Sequence, residues 1–209
     1  MLIRRSDLVI EATSASAAGA IVTDALTAGR RVIAMSVGGL LPLVARLPRL
    51  LARGGELHVP TGAIAGLDAI KAARCGRLRR VTLTTRKPPR ALQGAPGLRH
   101  PSRLRALTRP VTIFSGPASR AVKQFPQNIN VAATLALAGL GASRTQVRII
   151  ADPTVRRNVH EIEAVGSFGR LTVRTENVPS ARNPKTSELA VLSAQATLQQ
   201  LASPWRVGT

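Results

Sequence analysis

The chain has 209 residues, 44% of them hydrophobic, enough apolar material for a sizeable core in one large domain or two small ones. Thirty basic side chains against ten acidic ones give a formal charge of +20, and 26 of the thirty are Arg. Cys75 is the single cysteine, which excludes an internal disulfide framework and a Cys-built zinc site and points to a reducing, cytoplasmic setting. Two membrane readings fail. Arg4 and Arg5 precede an apolar stretch, but Asp7, Glu11 and Asp24 interrupt it before it can resemble a secretory signal. The longest uncharged run, 124–143, contains Pro126, Gln127, Asn128 and Asn130 and is too short in apolar residues to span a bilayer.

In chain order, residues 7–12 (DLVIEA) read as a buried strand and 14–28 as a helix, with Ser14 or Ser16 as its cap and Gly29 as its stop. Residues 31–36 (RVIAMS) form a second strand, 40–53 a helix ended by Gly54 and Gly55, and 56–59 (ELHV) a third strand. Strands alternating with helices predict parallel βαβ units. Beyond Gly62 the pattern changes. Residues 63–74 read as a helix and 78–85 (LRRVTLTT) as a half-buried strand. The stretch 86–110, rich in Pro, Arg, Gly and Leu, has no period and reads as a basic loop or insertion. Then follow a short strand at 111–115, a helical turn or two at 118–124 and an Ala/Leu helix at 130–140. Three strand-like runs, 146–151, 159–165 and 170–175, are joined by short turns that favour an antiparallel or mixed sheet. A last amphipathic helix covers 188–201.

Few residues can carry chemistry. His58 and His100 have ordinary structural or solvated readings. His160 stands apart in NVHEIE: strand alternation places it with Ile162 and turns Glu161 and Glu163 the other way. An imidazole on the inward face near a cleft can act as a general acid or base, because its ordinary pKa lies close to neutrality. Thr84, Thr85, Arg86 and Lys87 close a strand with two hydroxyls and two cations. A dicarboxylate would need such a group, since carboxylates are costly to bury without partners. In a chain with 26 arginines, composition alone favours a solvated loop over that reading. Thr186 or Ser187 can cap the final helix, which explains the hydroxyls and leaves Lys185 unexplained.

Four stretches in order carry a resemblance: LHVPTGAIAGLDAIKAA, VTLTTRKPP, FPQNINVAATLALAG, and the run from VRIIADPTVRRNVHEIE to SELAVLSAQATL. Together they resemble the L-aspartate dehydrogenase family from about Asp7 to Leu201, broken only near residues 90–109. The resemblance implies oxidation of L-aspartate to iminosuccinate with NAD or NADP, the product feeding pyridine-nucleotide synthesis or hydrolysing to oxaloacetate and ammonia. It implies His160 as the active-site histidine, Ala63 and Asn130 as cofactor contacts, and a homodimer. Arg86, Lys87 and Lys185 are the candidates for the substrate carboxylates. No metal is expected. The fold class that follows is α/β, with a partial Rossmann (parallel sheet) domain over 1–61 and an α+β catalytic domain with a mixed or antiparallel sheet over 62–185. Its basic loop spans 86–110, and the C-terminal helix segment, 186–209, returns to the nucleotide domain.

The chain departs from that pattern in two ways. A dinucleotide site needs a strand, then G-x-G-x-x-G opening a helix, then an acidic residue about 20 positions on. The sequence holds no such run; Gly139 and Gly141 close a helix instead. By this reading the chain starts after the phosphate-binding unit, so it is expected to bind NAD weakly, and an upstream extension to restore binding. The fragment would then be catalytically impaired. The charge is the second departure. It supports a rival reading as a basic nucleic-acid-binding protein, against which stand three Phe, one Trp and no Tyr to stack bases and the scattering of the arginines. Binding of nucleic acid is therefore expected to be non-specific if it occurs.

Overall fold

A computed structural model describes residues 2–98, 104, 106–125, 130–205 and 207–208. The first apolar runs become β1 (Leu8–Glu11), β2 (Arg31–Ala34) and β3 (Glu56–His58), a parallel sheet in the order β1-β2-β3. Between β1 and β2 runs α1 (Ala15–Thr27). Ser14 is its cap, accepting the Ala17 N–H at 3.4 Å, and Gly29, at φ +67°, carries the chain out of it. Ala18, Val22, Ala25 and Leu26 bury its inner face against Val32 and Ala34.

The second crossover differs from the predicted helix at 40–53. Val37–Arg46 winds as a 3-10 helix with Pro42 inside it, and only Leu47–Leu51 is α-helical (α2), with Pro48 in its first turn. A proline lacks the N–H that an α-helix needs and crowds the preceding turn; two of them six residues apart leave room for little else. Gly39 sits against α1, where a Cβ would run into the Ala15 carbonyl oxygen.

The second unit is built around β4 (Leu78–Lys87), two residues longer than expected and the middle strand of a five-stranded sheet. Its neighbours are β5 (Val111–Pro117), β6 (Gln146–Ala151), β7 (Asn158–Gly166) and β8 (Gly169–Asn177), in the order β5-β6-β4-β7-β8. β4 runs parallel to β6 and antiparallel to β7, so the sheet is mixed. One face is covered by α3 (Leu67–Arg74), α4 (Ala118–Gln124) and α5 (Asn130–Ala138), which close a core with Val81, Leu83, Ile149, Ile162 and Ala164. The predicted helix at 63–74 starts late because Gly66 takes a left-handed φ of +78°, and only Leu67 begins the α3 ladder.

The stretch 86–110 is less of a loop than its composition suggests. Arg86 and Lys87 belong to β4, Pro89–Leu92 forms a 3-10 turn, and Leu92 and Leu104 are buried in the main core. Among its described residues, burial of Leu92 and Leu104 ties it to that core. His100 lies outside the described residues. The chain ends with α6 (Glu188–Ala202), which lies against β2 and accepts the Gly62 N–H on Ser193 Oγ at 3.0 Å. None of its residues is fully buried. Among the described residues, no helix is long and apolar enough to cross a membrane.

Candidate functional site

The two sheets and α6 enclose a pocket of about 500 Å³. Ala12, Thr13, Ala34, Met35 and Ser36 reach it from the carboxyl ends of β1 and β2, where ligands bind in open α/β sheets. Lys87, Asn158 and His160 reach it from the second sheet, and Asn183, Lys185, Thr186 and Ser187 from the approach to α6. Glu11 fixes the first rim. Its carboxylate, 1% exposed, accepts the Thr13 N–H and hydroxyl, each at 2.8 Å, and the Ser36 N–H at 3.0 Å. Burial alone would push its pKa up; the hydrogen bonds from Thr13 and Ser36 outweigh it and hold the carboxyl below the usual range.

The floor is set by strand register. Thr85 on β4 stands opposite His160 on β7, and His160 stands opposite Thr175 on β8. The expected alternation holds: His160 and Ile162 are buried while Glu161 is exposed. Thr85 Oγ1 lies 2.9 Å from His160 Nδ1, in a buried contact. Lys87, two residues beyond Thr85, is on the same face and 7% exposed. Burial pushes its pKa down to about 8. Burial and then the Lys87 charge push His160 down to about 3, so the imidazole is neutral at neutral pH. The sequence expectation of a near-neutral pKa fails here, because an imidazolium in this position would lose its hydration beside a second cation.

Arg86 is not brought to the pocket. Alternation turns it to the other face, where its Nη1 meets Asp152 Oδ2 at 3.3 Å. Asp152 also accepts the Thr154 N–H and hydroxyl at 2.9 and 2.6 Å. Burial would raise its pKa, but the Thr154 bonds and then Arg86 hold it below the usual range. Arg86 is thus engaged in an ion pair outside this pocket. Lys185 lies exposed at the pocket rim, its N–H donated to Asn183 Oδ1 at 3.2 Å. Ala63 and Asn130 both line the pocket, and both have structural work there. The Ala63 carbonyl accepts from Asn177 Nδ2 at 3.0 Å and from the Thr175 hydroxyl at 3.1 Å. Asn130 Oδ1 accepts the Gly38 N–H at 3.1 Å, joining the start of α5 to the 3-10 crossover of the first sheet.

Sequence reading misses Asn177. It is 4% exposed and accepts the Ser187 hydroxyl at 2.7 Å on its Oδ1. Ser187 therefore does not cap α6 with its side chain; it pins the head of α6 to the end of β8. The available signal was the β7–β8 hairpin, whose register sets Asn158 opposite Asn177. The pocket combines apolar walls from Ile10, Ala34, Val37 and Val131 with polar groups from Lys87, Asn158, His160 and Ser187, the mixture expected of a small-molecule or cofactor site.

Comparison with known proteins identifies the fold and the family. Residues 68–201 match the family described as "Aspartate dehydrogenase, C-terminal", and residues 1–59 match "Homoserine dehydrogenase, NAD binding domain". The L-aspartate dehydrogenase of Methanosarcina barkeri is 51% identical over 212 residues, covering 100% of this chain and 78% of that protein. L-aspartate dehydrogenase 3 of Bordetella bronchiseptica is 42% identical over 207 residues, covering 99% of this chain and 76% of that protein. The crystal structure of aspartate dehydrogenase from Thermotoga maritima superimposes with a TM-score of 0.79 at 28% identity, covering 98% of this chain and 80% of that one. An NAD(P)-binding domain followed by this C-terminal domain is the fold observed, and the chain belongs to the aspartate dehydrogenase family.

Proposed function

We infer that this chain is an NAD(P)-dependent L-aspartate dehydrogenase, oxidising L-aspartate to iminosuccinate, which then hydrolyses to oxaloacetate and ammonia. The observation that carries the reading is the joint placement of His160 on β7 and Lys87 on β4, on one buried face of the second sheet, in a pocket that also reaches the carboxyl ends of the parallel sheet. When bound, a nicotinamide cofactor supplies the hydride acceptor. Ala63, Asn130 and the β1 and β2 rim would hold it.

The side chains of this chain divide the remaining tasks. Lys87 in its charged form pairs with one substrate carboxylate, an interaction strengthened by its burial. Lys185 at the rim takes the other, its long stem reaching inward on binding. His160 is the catalytic residue: Nδ1 is taken by Thr85, so the other ring nitrogen is the one it offers to substrate. The Asn177–Ser187 bond keeps α6 in place as the wall that limits water.

The division of the chain at 61/62 and 185/186 is supported by the separate sheets β1–β3 and β4–β8 and by the contact of α6 with β2. A homodimer fits the face of the five-stranded sheet opposite α3–α5, which carries the pairs Arg80–Glu163 and Arg174–Glu176. A cytoplasmic location is supported by the single thiol, and any contact with nucleic acid is non-specific.

The test is His160→Ala, followed as aspartate-dependent NAD(P)H formation alongside a thermal melt. We expect kcat to drop by about 10²-fold or more with the fold intact. Unchanged turnover would remove His160 from the chemistry and the reading with it.

A further inference from the structure

The hydrogen bond behind His160 determines what that imidazole can do, and the inference rests on the reading of His160 as the residue that meets substrate. Thr85 is 2% exposed and lies in β4, the middle strand, held by β6 on one side and β7 on the other. Its hydroxyl therefore has little freedom to choose partners. Among the described residues, the one side-chain or backbone acceptor it meets is His160 Nδ1, at 2.9 Å. Two arrangements are conceivable. If Nδ1 carried the hydrogen and donated it to Thr85 Oγ1, the hydroxyl hydrogen of Thr85 would be buried with no acceptor. An unsatisfied buried donor is expensive. If Thr85 donates to a bare Nδ1, every buried hydrogen is placed, and the ring hydrogen sits on Nε2, the atom left for the pocket.

We propose that Thr85 is the positioning residue that fixes His160 as the Nε2–H tautomer, making it a hydrogen-bond donor to substrate. Lys87 works in the same direction, since a cation on that face opposes a doubly protonated ring. A neutral imidazole with its N–H toward the pocket cannot take a proton at Nε2. It can hold a carboxylate oxygen of the substrate and so orient the Cα, the use to which other enzymes put a neutral histidine. The proton of the substrate ammonium is then lost to a solvent base, such as hydroxide or a buffer anion, and not to this ring. No bond to His160 forms or breaks in that step.

The sequence contains three histidines, His58, His100 and His160, so ¹⁵N-histidine NMR of the intact protein reads the ring directly, without cofactor or substrate. His160 is assigned by the signals that vanish in His160→Gln. In the unaltered protein at neutral pH, Nε2 should show the protonated shift and Nδ1 the bare one. Thr85→Ser keeps the donor and should keep the pattern. Thr85→Val keeps the shape, loses the donor, and should shift the two nitrogens toward a tautomer mixture, with kcat for aspartate down by about 10-fold or more and Thr85→Ser close to the parent. A protonated Nδ1 in the unaltered protein overturns the proposal, whether or not the valine variant folds. So does a Thr85→Val spectrum identical to the parent. An Nε2–H tautomer combined with unimpaired turnover in His160→Ala would leave the tautomer standing and defeat the catalytic reading instead.

Discussion

At the scale of single residues, the cost of placing Lys87 on the pocket floor is measurable. Its drop from 10.5 to about 8 comes from burial and corresponds to about 3 kcal/mol against the charged form. The sign is fixed by linkage. Below pH 8 both the folded and the unfolded chain hold the proton, and the fold bears the full penalty. Between about 8 and 10.5 the folded chain loses it first, so stability rises with pH across that window. Lys87→Met should therefore raise the melting temperature at pH 7, remove the gain between pH 8 and 10.5, and raise KM for aspartate several-fold by taking away a carboxylate partner. Thermal melts at the two ends of the window check it. A variant that melts lower than the parent at pH 7 would mean that the bonds of the ammonium outweigh its burial. Neighbouring Arg86 shows why one residue along a strand matters: the same backbone turns it toward Asp152 and away from the pocket.

At the scale of elements, the site depends on how α6 is tethered. Asn177 bonds the Ala63 carbonyl and the Ser187 hydroxyl at once, tying the end of β8 to the loop before α3 and to the head of α6. Asn177→Ala should cost about 1–3 kcal/mol by leaving buried partners unpaired. Amide hydrogen exchange should quicken along α6 while β4–β7 stays protected, because α6 has no fully buried residue to hold it otherwise. Exchange that quickens uniformly, or not at all, would show that α6 is held by its packing on β2. This tether also marks the limit of what the sequence discloses. β1, β2, α1, β6 and the β7–β8 pair are legible because their apolar spacing is local, and His160 is legible because alternation fixes its face. The crossover after β2 is misread since Leu and Val spacing imitates a helix that Pro42 and Pro48 forbid. Gly66 hides its left-handed turn in the same way. The Thr85–His160 bond and the Asn177–Ser187 bond join residues 75 and 10 positions apart; only the strand register brings the first pair together, and no local pattern announces the second.

At the scale of the whole molecule, thirty cations face ten acids, so most arginines have no carboxylate to meet. The ion pairs of Arg80, Arg86 and Arg174 use up Glu163, Asp152 and Glu176. What remains is a diffuse positive field, which raises the local concentration of any anion, a dicarboxylate substrate included. The same field attracts phosphate backbones, but the chain lacks the means to read them. Phe114 and Phe125 pack edge to face in the core at 5.6 Å between centroids, so two of the few aromatic rings are spent on packing and cannot stack on bases. Binding to duplex DNA should then rest on counterion release alone. Its logarithm should fall linearly with that of salt concentration, by about 0.9 per phosphate contacted, between about 50 and 200 mM. Two duplexes of unrelated sequence should give superimposable titrations by fluorescence anisotropy. Since the pocket is walled by α6 and the sheets rather than by the outer arginines, saturating DNA should leave His160-dependent turnover unchanged in KM for aspartate apart from screening. A duplex that binds tightly at the upper salt, resists unlabelled competitor of other sequence and displaces aspartate would show that the positive charge serves recognition. Uniform, salt-sensitive binding would show that it is only a field.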